Sequence, residues 1–465
     1  MTGFENIQNI YFLGIGGIGM SALARWFNHL GFRVAGYDRT STALTTALQS
    51  EGIEVHFDDR GEEVQTLVGQ PEDTLVVFTP ALPADHGEWN WLQQHGYSVL
   101  KRSKVLGMLC NRSKCLAVAG THGKTTVSTM VATILEQTAK GCGAFLGGIS
   151  KNFGSNLLLP GSSAEWMVTE ADEYDRSFLQ LTPDVAVITA MDADHLDIYG
   201  GLREVQESFR LFAAQIREGG KLVTKRALKE NFTRLAGITV FTYSVDGPDD
   251  FFASGLNLDA ATRNYRFRLH TPAGLTPEIA LSYPGLVNVE NAVAAGAAAF
   301  LAGASFEEIG AGLQSYQGVK RRFDIRYRDQ HVLYIDDYAH HPEELRAFIS
   351  SVKLLFPGKK ITGIFQPHLY SRTRDFAPEF AQSLDLLDEA WLLPVYPARE
   401  LPIEGVSSEL IFRMMKQEKK LLLQKNEVAE TIRHSKPEIL LTMGAGDIDL
   451  MIPEIVETLK RMGEC

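Results

Sequence analysis

Residues 115–135 read CLAVAGTHGKTTVSTMVATIL, a succession that predicts a strand, a turn and a helix. The first residues are almost wholly apolar, as in a buried strand, and glycines mark the turn that follows. Val127, Met130, Val131 and Ile134 then recur at i, i+3, i+4 and i+7, the spacing of one apolar helix face. A strand that leads through a glycine turn into a helix converges backbone N–H groups on an anion. The stretch therefore predicts a phosphate-binding site in an α/β domain.

The turn departs from the phosphate-loop signature G-x-x-x-x-G-K-[ST] at one position. Val118 stands where the first glycine belongs, whereas Gly120 still opens the turn and Gly123, Lys124 and Thr125 follow the signature. Lys124 can reach between phosphates, and the Thr125 hydroxyl is placed to ligate Mg²⁺. The alternative is a glycine-rich turn with an incidental lysine. The order of strand, loop, lysine and amphipathic helix favours the nucleotide site.

Two acidic segments follow apolar runs further along the chain. They read VTEADEYDRSF and VITAMDADHLDIYG, and the carboxyl ends of parallel strands are where α/β proteins bind ligands. We therefore expect six side chains near a bound phosphate group: Glu170, Asp172, Glu173, Asp192, Asp194 and His195. Mg²⁺ prefers oxygen and takes few protein ligands, so most of these acids need another role. A single histidine at a strand end is more often structural than a ligand, and spacing alone does not select His195.

A second glycine loop lies near the N-terminus. The segment LGIGGIGMSALARWF matches G-x-G-x-x-G at Gly14, Gly16 and Gly19, and Asp38 ends the next predicted strand. On its own this fingerprint predicts an NAD-dependent oxidoreductase. The fingerprint itself requires only a pyrophosphate at a helix N-terminus and a hydroxyl near an acid. A UDP-sugar also offers both groups. The loop therefore predicts a diphosphate ligand and does not single out NAD.

Length and patterning predict three α/β domains. A chain of 465 residues is too long for one hydrophobic core, and apolar runs alternate with amphipathic stretches nearly throughout. New units begin near CLAVAG and near VLYIDDYAHHPEEL. We expect an N-terminal Rossmann-like domain at 1–107, a central P-loop domain with an α/β sheet at 108–317, and a C-terminal Rossmann-like domain at 318–465.

Composition narrows the kind of partner. The net charge is −12 with no long basic run, which argues against a nucleic-acid binder. No run of 18 apolar residues exists, and the start MTGFENIQNIYF lacks signal-peptide features, so we expect no membrane association. The four cysteines show neither a metal spacing nor a disulfide framework, which fits a reducing compartment. We expect a cytoplasmic monomer or homodimer that acts on small molecules.

In combination the motifs resemble those of the Mur ligases of peptidoglycan synthesis, and the resemblance covers essentially the whole chain. It rests on eight stretches in the family's order: GIGGIGMSALA, AGTHGKTT, EADEYDRSFL, MDADHLDIYG, NVENAVAA, GVKRRFD, DDYAHHPEEL and FQPHLYSRTRDF. The resemblance implies an ATP-dependent ligation of a carboxylate to an amine through an acyl phosphate, with Mg²⁺. It further implies that the lactyl carboxylate of UDP-N-acetylmuramate is joined to L-alanine, with release of ADP and phosphate.

Site residues are carried over from the family position by position. The implied ATP site comprises Gly120, Thr121, His122, Gly123, Lys124, Thr125, Thr126, Asn288, Asn291, Arg322 and Asp337. The implied metal positions are Thr125, Glu170 and His195. The implied catalytic groups are Lys124, Glu170, His195, His340, Arg372 and Arg374. The first glycine loop supplies the UDP-sugar site, which comprises Gly14, Gly16, Gly17, Ile18, Gly19, Asp38 and Thr79.

Two stretches depart from the family pattern. Val287 stands where relatives often have a histidine before the first asparagine, a position that bears on adenine binding. The stretch VVFTPALPADH stands where relatives commonly have a serine-rich segment. Contacts to the uracil or sugar are therefore not assigned here beyond Thr79.

The third predicted domain carries a histidine pair, His340 and His341, beside Asp336 and Asp337. A transition-metal site is one interpretation, but adjacent residues on a strand point to opposite faces, which favours a catalytic or hydrogen-bonding role. An acyl phosphate hydrolyses readily, so water must be excluded from the reaction. We therefore hypothesise that the third domain closes over the substrates and carries its site residues inward.

Three other functions are open. A ligase that recycles a murein peptide onto UDP-N-acetylmuramate differs in the amine, and GIGGIGM resembles the alanine-adding members better. An NAD-dependent oxidoreductase would use residues 14–19 and Asp38 but leaves Lys124, Thr125 and the acidic cluster unexplained. A non-catalytic P-loop switch has no use for a separate diphosphate-sugar domain. A change in nicotinamide absorbance would identify the oxidoreductase. Slow hydrolysis that does not depend on an amine would identify the switch.

Overall fold

The computed structural model describes residues 4–80, 82–83, 85–192, 199–259, 262–398 and 400–463. Its strands form three sheets joined by helices, so the predicted three-part α/β architecture is confirmed. By compactness the chain divides into two units: Met1–Leu256 with Phe267–Ala280 and Glu290–Tyr316, and Asn257–Arg266 with Leu281–Val289 and Gln317–Cys465. The domain boundaries near 107 and 317 stay predictions.

The first sheet lies wholly in the first unit. Its strands are β1 Asn9–Leu13, β2 Arg33–Tyr37, β3 Glu54–His56, β4 Thr74–Phe78 and β5 Ser98–Lys101. They are parallel, in the order β3-β2-β1-β4-β5. The helices are α1 Ile18–His29, α2 Ala43–Ser50, α3 Gly87–Gln94 and α4 Arg102–Cys110. Because the strand order reverses at β1, the glycine loop that follows β1 lies at the switch point where such sheets bind ligands.

The second sheet surrounds the strand that leads into the phosphate loop. Its strands are β6 Lys114–Ala119, β7 Cys142–Phe145, β8 Leu157–Leu158, β9 Trp166–Glu170, β10 Val185–Ile188, β11 Lys221–Lys225, β12 Thr239–Ser244, β13 Phe251–Leu258, β14 Tyr265–Thr271, β15 Gly274–Leu275 and β16 Ile279–Leu281. The order is β15-β14-β13-β12-β11-β10-β6-β9-β7-β8, with β16 paired to β14. β6 pairs in parallel with both β9 and β10, so the segments after these three strands emerge at one edge.

Among the described residues, four helices accompany the second sheet: α5 Lys124–Glu136, α6 Leu202–Ala213, α7 Leu286–Ala302 and α8 Phe306–Ser315. The sequence predicts one apolar face on α5, but the structure buries every residue of 125–135. α8 covers the outer side, where a Cβ on Gly312 would lie 2.6 Å from the Cα of Ile134. The hydroxyls of Thr129 and Thr133 donate to backbone carbonyls one turn earlier, at 2.7 and 2.8 Å, which satisfies them without water.

The third sheet belongs to the second unit. Its strands are β17 Asp324–Arg328, β18 Leu333–Asp337, β19 Ile361–Phe365, β20 Glu389–Leu392, β21 Lys420–Leu422 and β22 Ile439–Met443. The order is β17-β18-β22-β19-β20-β21, and among the described strands of this sheet only the β17–β18 pair is antiparallel. The helices are α9 Pro342–Leu355, α10 Tyr370–Asp375, α11 Ala377–Leu384, α12 Ser408–Met414, α13 Val428–Ser435 and α14 Ile452–Gly463.

Within the first unit, α1 is tied to the second sheet by apolar and polar contacts. Trp26 of α1 packs on Phe145 at the end of β7, with ring centroids 5.2 Å apart. Asn156 is fully buried, and its Nδ2 donates to the carbonyl of Ile18 at 2.5 Å while its Oδ1 accepts from Arg25 at 2.5 Å. The helix that begins at the first glycine loop is therefore held against the sheet that carries the phosphate loop.

The described cysteines Cys110, Cys115 and Cys142 are buried free thiols. Among the helices that the structure describes, none is long and apolar enough to cross a bilayer.

Candidate active site

The phosphate loop lies between β6 and α5, where the sequence predicts it. Val118 is still inside β6, in register with Glu170 of β9, so the turn begins after it and needs no glycine there. Gly120 and Gly123 have φ angles of +135° and +82°, which residues with a Cβ rarely adopt. A Cβ on Gly123 would also lie 2.8 Å from Oδ1 of Asn291. The loop thus keeps glycine at both places where its backbone requires it.

Lys124 is held at the start of α5 by two oxygen atoms. Its ammonium donates to the carbonyl of Gly120 at 2.7 Å and to Oε1 of Glu173 at 2.8 Å. Burial disfavours the ammonium, but the carboxylates of Glu173, Glu170 and Asp172 outweigh burial and raise the pKa of Lys124 above its ordinary value. Burial also raises the pKa of Glu173 to about 7, although Lys124 opposes that rise. Lys124 therefore stays cationic beside a carboxylate that binds protons near neutral pH.

Thr125 and Glu170 form an oxygen pair suited to a hard cation. The Thr125 hydroxyl donates to Oε2 of Glu170 at 2.8 Å, and a Cβ on Gly147 would lie 2.5 Å from the Glu170 carboxyl carbon, so glycine leaves room for that carboxylate. Two protein oxygens fit Mg²⁺, which otherwise takes water and phosphate oxygens. His195 and Asp194 lie outside the described residues. Among those described, no group of three or more His, Cys, Asp or Glu side chains could hold a metal ion.

The segment after β10 supports the loop from its other side. The hydroxyl of Thr189 donates to the carbonyl of Ala119 at 3.2 Å and also to that of His122. The backbone N–H of Asp192 donates to the Thr121 hydroxyl at 3.2 Å, and Oδ2 of Asp192 lies 3.7 Å from Nε2 of His122. Thr121 and His122 are thus held in place by contacts with the segment after β10.

Three more predicted nucleotide residues lie on α5 and α7. Thr126 is buried in the first turn of α5, and the amide of Asn291 lies against Gly123. Asn288, one turn earlier on α7, donates from Nδ2 to the carbonyl of Pro284 at 2.5 Å. The structure therefore brings Thr126 and Asn291 to the phosphate loop, whereas the Asn288 amide donates to the turn that precedes its own helix.

The first glycine loop follows β1 and leads into α1, as predicted. The backbone N–H of Gly16 donates to Oδ2 of Asp38 at 2.7 Å, and that of Thr40 donates to Oδ1 at 3.2 Å. A Cβ on Gly16 would lie 2.8 Å from the same Oδ2. The fingerprint assigns Asp38 to a ligand hydroxyl, but in the structure each of its carboxylate oxygens accepts from the backbone. Asp38 thus fixes the conformation of the loop backbone, and this role does not require NAD as the ligand.

A cavity of about 260 Å³ lies at the first glycine loop and extends to Glu170, the hydrogen-bond partner of Thr125. Its walls come from the first glycine loop, the residue after β4, the start of α4 and the segment that includes the end of β9: Gly17, Ile18, Gly19, Thr79, Arg102, Glu170 and Asp172. Thr79 also approaches the loop directly, since a Cβ on Gly14 would lie 2.6 Å from its methyl group. The loop assigned to a diphosphate and the Glu170 carboxylate therefore line one cavity.

Asp337 ends β18 in the second unit and is buried. Its Oδ2 accepts from the backbone N–H of Phe323 at 2.7 Å and its Oδ1 from that of Ala339 at 2.8 Å. Burial raises the pKa of Asp337 to about 6, and Arg322 opposes the rise. The guanidinium of Arg322 lies 5.1 Å from the Tyr338 ring centroid. Both residues predicted to contact the nucleotide from the third sheet thus lie at the carboxyl end of β18.

His340 and His341 do not converge on one point. Nδ1 of His340 lies 3.0 Å from the carbonyl oxygen of Tyr338 and 3.2 Å from Oε2 of Glu344. The His341 ring instead packs 5.0 Å from the ring of Phe376. This divergence fits the hydrogen-bonding interpretation of the pair and gives no ligand set for a transition metal.

The two arginines of α10 differ in their surroundings. Arg372 is 9% exposed. Burial raises the pKa of Tyr338, and the positive charge of Arg372 opposes that rise. Arg374 is 54% exposed and pairs with the neighbouring Asp375 at 2.7 Å. The structure thus groups Arg372 with Arg322, Asp337 and His340 around the end of β18 and places Arg374 at the surface.

Arg102 and Thr189 belong to the site but are not among the predicted residues. Arg102 immediately follows β5, and Thr189 immediately follows β10. The rule that ligands bind beyond the carboxyl ends of parallel strands points to both positions. If this rule is applied to every strand, and not only to strands that acidic residues follow, it selects both Arg102 and Thr189.

These features define a class: a P-loop α/β protein with a second, diphosphate-type loop whose cavity reaches Glu170 beside the phosphate loop. Comparison with known families gives three matches in chain order. The Mur ligase family, catalytic domain matches residues 9–114, the Mur ligase middle domain residues 118–299, and the Mur ligase, glutamate ligase domain residues 321–446. The chain belongs to the Mur ligase family.

Individual relatives cover the full length. The UDP-N-acetylmuramate–L-alanine ligase of Parabacteroides distasonis is 48% identical over 455 residues, 98% of this chain and 98% of its own. The crystal structure of the UDP-N-acetylmuramate-alanine ligase of Thermotoga maritima is 28% identical, with a TM-score of 0.82 over 97% of this chain and 99% of that one. The murein peptide ligase of Psychrobacter arcticus, 23% identical, shares the fold with a TM-score of 0.73 over 97% of this chain and 98% of its own.

Proposed function

We propose that the protein joins L-alanine to the lactyl carboxylate of UDP-N-acetylmuramate, with conversion of ATP to ADP and phosphate. One observation carries the proposal. The cavity of about 260 Å³ is bounded on one side by Gly17–Gly19 backbone at the start of α1 and on the other by Glu170, which contacts Thr125. A sugar nucleotide held by the first loop would thus extend towards the γ-phosphate of a nucleotide held by the second.

The chemistry requires two displacements. A lactyl carboxylate oxygen attacks the γ-phosphorus in line, and the bond to the ADP oxygen breaks. The α-amine of L-alanine then attacks the acyl carbon, phosphate leaves, and the amine gives up a proton. Such transfers depend mainly on positioning and on stabilisation of charge at the phosphoryl oxygens.

The side chains at the phosphate loop supply that stabilisation. Lys124 would exchange the Glu173 carboxylate, now 2.8 Å away, for phosphoryl oxygens. Thr125 and Glu170 would hold Mg²⁺, which when bound neutralises charge on the phosphate. The roles carried over to His195, Arg322, Asp337, His340, Arg372 and Arg374 are part of the same proposal and come from the family.

We further propose that the reaction takes place in the cytoplasm. The substrates are a UDP-sugar and ATP, and the described cysteines are free thiols, as expected in a reducing compartment.

Phosphate release from ATP and Mg²⁺ with UDP-N-acetylmuramate, measured with each amino acid in turn, tests the proposal. We expect release that requires both the sugar nucleotide and L-alanine. Release with a murein peptide but not with alanine would instead identify the recycling ligase. No sugar-dependent release would reject ligation, and a nicotinamide titration would then test the oxidoreductase.

Lys124→Ala tests the separation of the two loops. We expect turnover to fall below detection while UDP-N-acetylmuramate still binds, because the ammonium acts on nucleotide phosphates and does not line the cavity of the first loop. Lys114→Ala is the matched control, since Lys114 is an exposed lysine that pairs with Glu165. Loss of sugar-nucleotide binding in Lys124→Ala, with the fold intact by circular dichroism, would contradict two separate loops.

A further inference from the structure

Arg102 lines the cavity at the first glycine loop. It is the first residue of α4 and directly follows β5. A Cβ on Gly19 would lie 2.7 Å from its Nη1 and 3.3 Å from its Cζ. Gly19 has no positive φ, so what its missing side chain accommodates is the close approach of Arg102 rather than an unusual backbone. That space is filled by a guanidinium at the start of α1.

The Arg102 guanidinium has more N–H donors than the described residues accept from. Arginine carries five N–H donors in a planar fork. Within the described part of the chain, Arg102 makes a single hydrogen bond, from Nη2 to Oδ2 of Asp172 at 3.5 Å, the upper limit for such a bond. Arg25 of α1 provides the contrast, because it donates to both carboxylate oxygens of Glu51 and to Asn156 at 2.5–3.0 Å. Arg25 is bonded as a structural arginine, whereas Arg102 is not.

The described lining of the cavity offers one cationic side chain to an anionic ligand. Among the described residues that line it, Arg102 is the cation, and Glu170 and Asp172 are the anions. The side chain of Arg102 is 22% exposed, so it is partly desolvated but still accessible to a ligand. The N-terminal N–H groups of α1 lie beside it, and a helix start of this kind attracts anions.

We propose that Arg102 binds the diphosphate of the sugar nucleotide, an inference that rests on the proposed function. Backbone N–H groups at the start of α1 would contact one side of the diphosphate, and the arginine fork would contact another side with two parallel hydrogen bonds. Arg102 would release Asp172 when the diphosphate arrives, because a charge-assisted fork is stronger than a single bond at 3.5 Å. The lactyl carboxylate is the other anion of the substrate, but it must reach the γ-phosphate near Thr125 rather than the start of α1.

Calorimetric titration of the full chain with UDP and with UDP-N-acetylmuramate tests the inference. UDP carries the diphosphate but lacks the lactyl group. We expect Arg102→Ala to weaken both ligands by the same factor, about 10–100-fold, the value of charge-assisted hydrogen bonds. Arg102→Lys keeps the charge but not the fork, so it should recover part of the affinity for both. Lys104→Ala is the matched control, because Lys104 is an exposed cation on the same helix.

The outcomes separate the possibilities. Equal weakening of both ligands, with the KM for ATP unchanged, supports the diphosphate contact. Weakening of UDP-N-acetylmuramate alone would overturn it and assign Arg102 to the lactyl carboxylate or the sugar. Unchanged binding of both would show that Arg102 does not contact the ligand. If the wild-type protein bound neither ligand, the proposed function would fail with it, a result distinguishable from a failure confined to Arg102→Ala.

Discussion

Glu173→Gln should change how stability depends on pH. The Glu173 carboxyl is 1% exposed, and burial raises its pKa from 4.5 to about 7. The folded protein therefore binds this proton more tightly than the unfolded chain does. The free energy of unfolding of the wild type should fall as pH rises from below the unfolded pKa to above the folded pKa, by about 3–4 kcal/mol in all, at about 1.4 kcal/mol for each unit of pKa difference.

Urea unfolding of wild type and variant at about pH 5 and about pH 8 measures this term. Lys124 stays protonated across that range, so the loss of its partner shifts the variant by a constant amount. The free energy of unfolding of Glu173→Gln, taken relative to wild type, should increase by about 2–3 kcal/mol from the lower to the higher pH.

Glu165→Gln is the control, because Glu165 is a surface carboxylate whose pKa is lowered by its hydrogen bond to Lys114. The stabilisation from the Glu165–Lys114 pair is lost as pH falls. The free energy of unfolding of Glu165→Gln, taken relative to wild type, should therefore not increase with pH. A relative free energy for Glu173→Gln that is constant or decreases between the two pH values would refute the argument. It would mean that the attraction of Lys124 outweighs burial and keeps Glu173 ionised.

Two further outcomes follow from the same structure. When a nucleotide phosphate binds Lys124, Glu173 loses its neutralising ammonium and the pKa of Glu173 rises further. Nucleotide binding near neutral pH should therefore be accompanied by uptake of a proton. Calorimetry in buffers of different ionisation enthalpy would show this uptake, and a binding enthalpy that does not depend on the buffer would contradict it. Glu88→Ala should cost about 2–4 kcal/mol in urea unfolding, because Glu88 is fully buried and accepts from the Tyr11 hydroxyl at 2.7 Å and the Arg60 N–H at 2.9 Å. Glu88→Gln should cost less, and equal losses would indicate that the hydrogen bonds are unimportant.

Local patterns predict the elements around both loops well. The apolar run into Gly120 and the i, i+3, i+4, i+7 spacing from Val127 identify β6 and α5, because strand and helix periods are properties of the local chain. The same pattern does not show that α5 is buried all round. That depends on α8, which packs over Ile134 from far along the chain through Gly312. Periodicity reports the apolar face of a helix but not what covers the other face.

The partners of individual charges are less predictable. The sequence places Asp172 and Glu173 near a phosphate, but their partners Arg102 and Lys124 depend on which strands lie side by side. Asp38 shows a related difficulty, because a fingerprint records an acid at the right distance along the chain and not which group it accepts from. Pairings of this kind follow from tertiary register, which a single sequence does not encode locally.

The position of β6 between β9 and β10 also has a consequence for synthesis on the ribosome. Translation at about 5–20 residues per second takes about 4–14 s to add the roughly 70 residues between Gly120 and Asp192. During that time the emerging chain already carries the phosphate loop but lacks Thr189, whose hydroxyl holds two loop carbonyls. We therefore expect the nascent loop to gain its affinity for nucleotide phosphates only after the strands on both sides have been made.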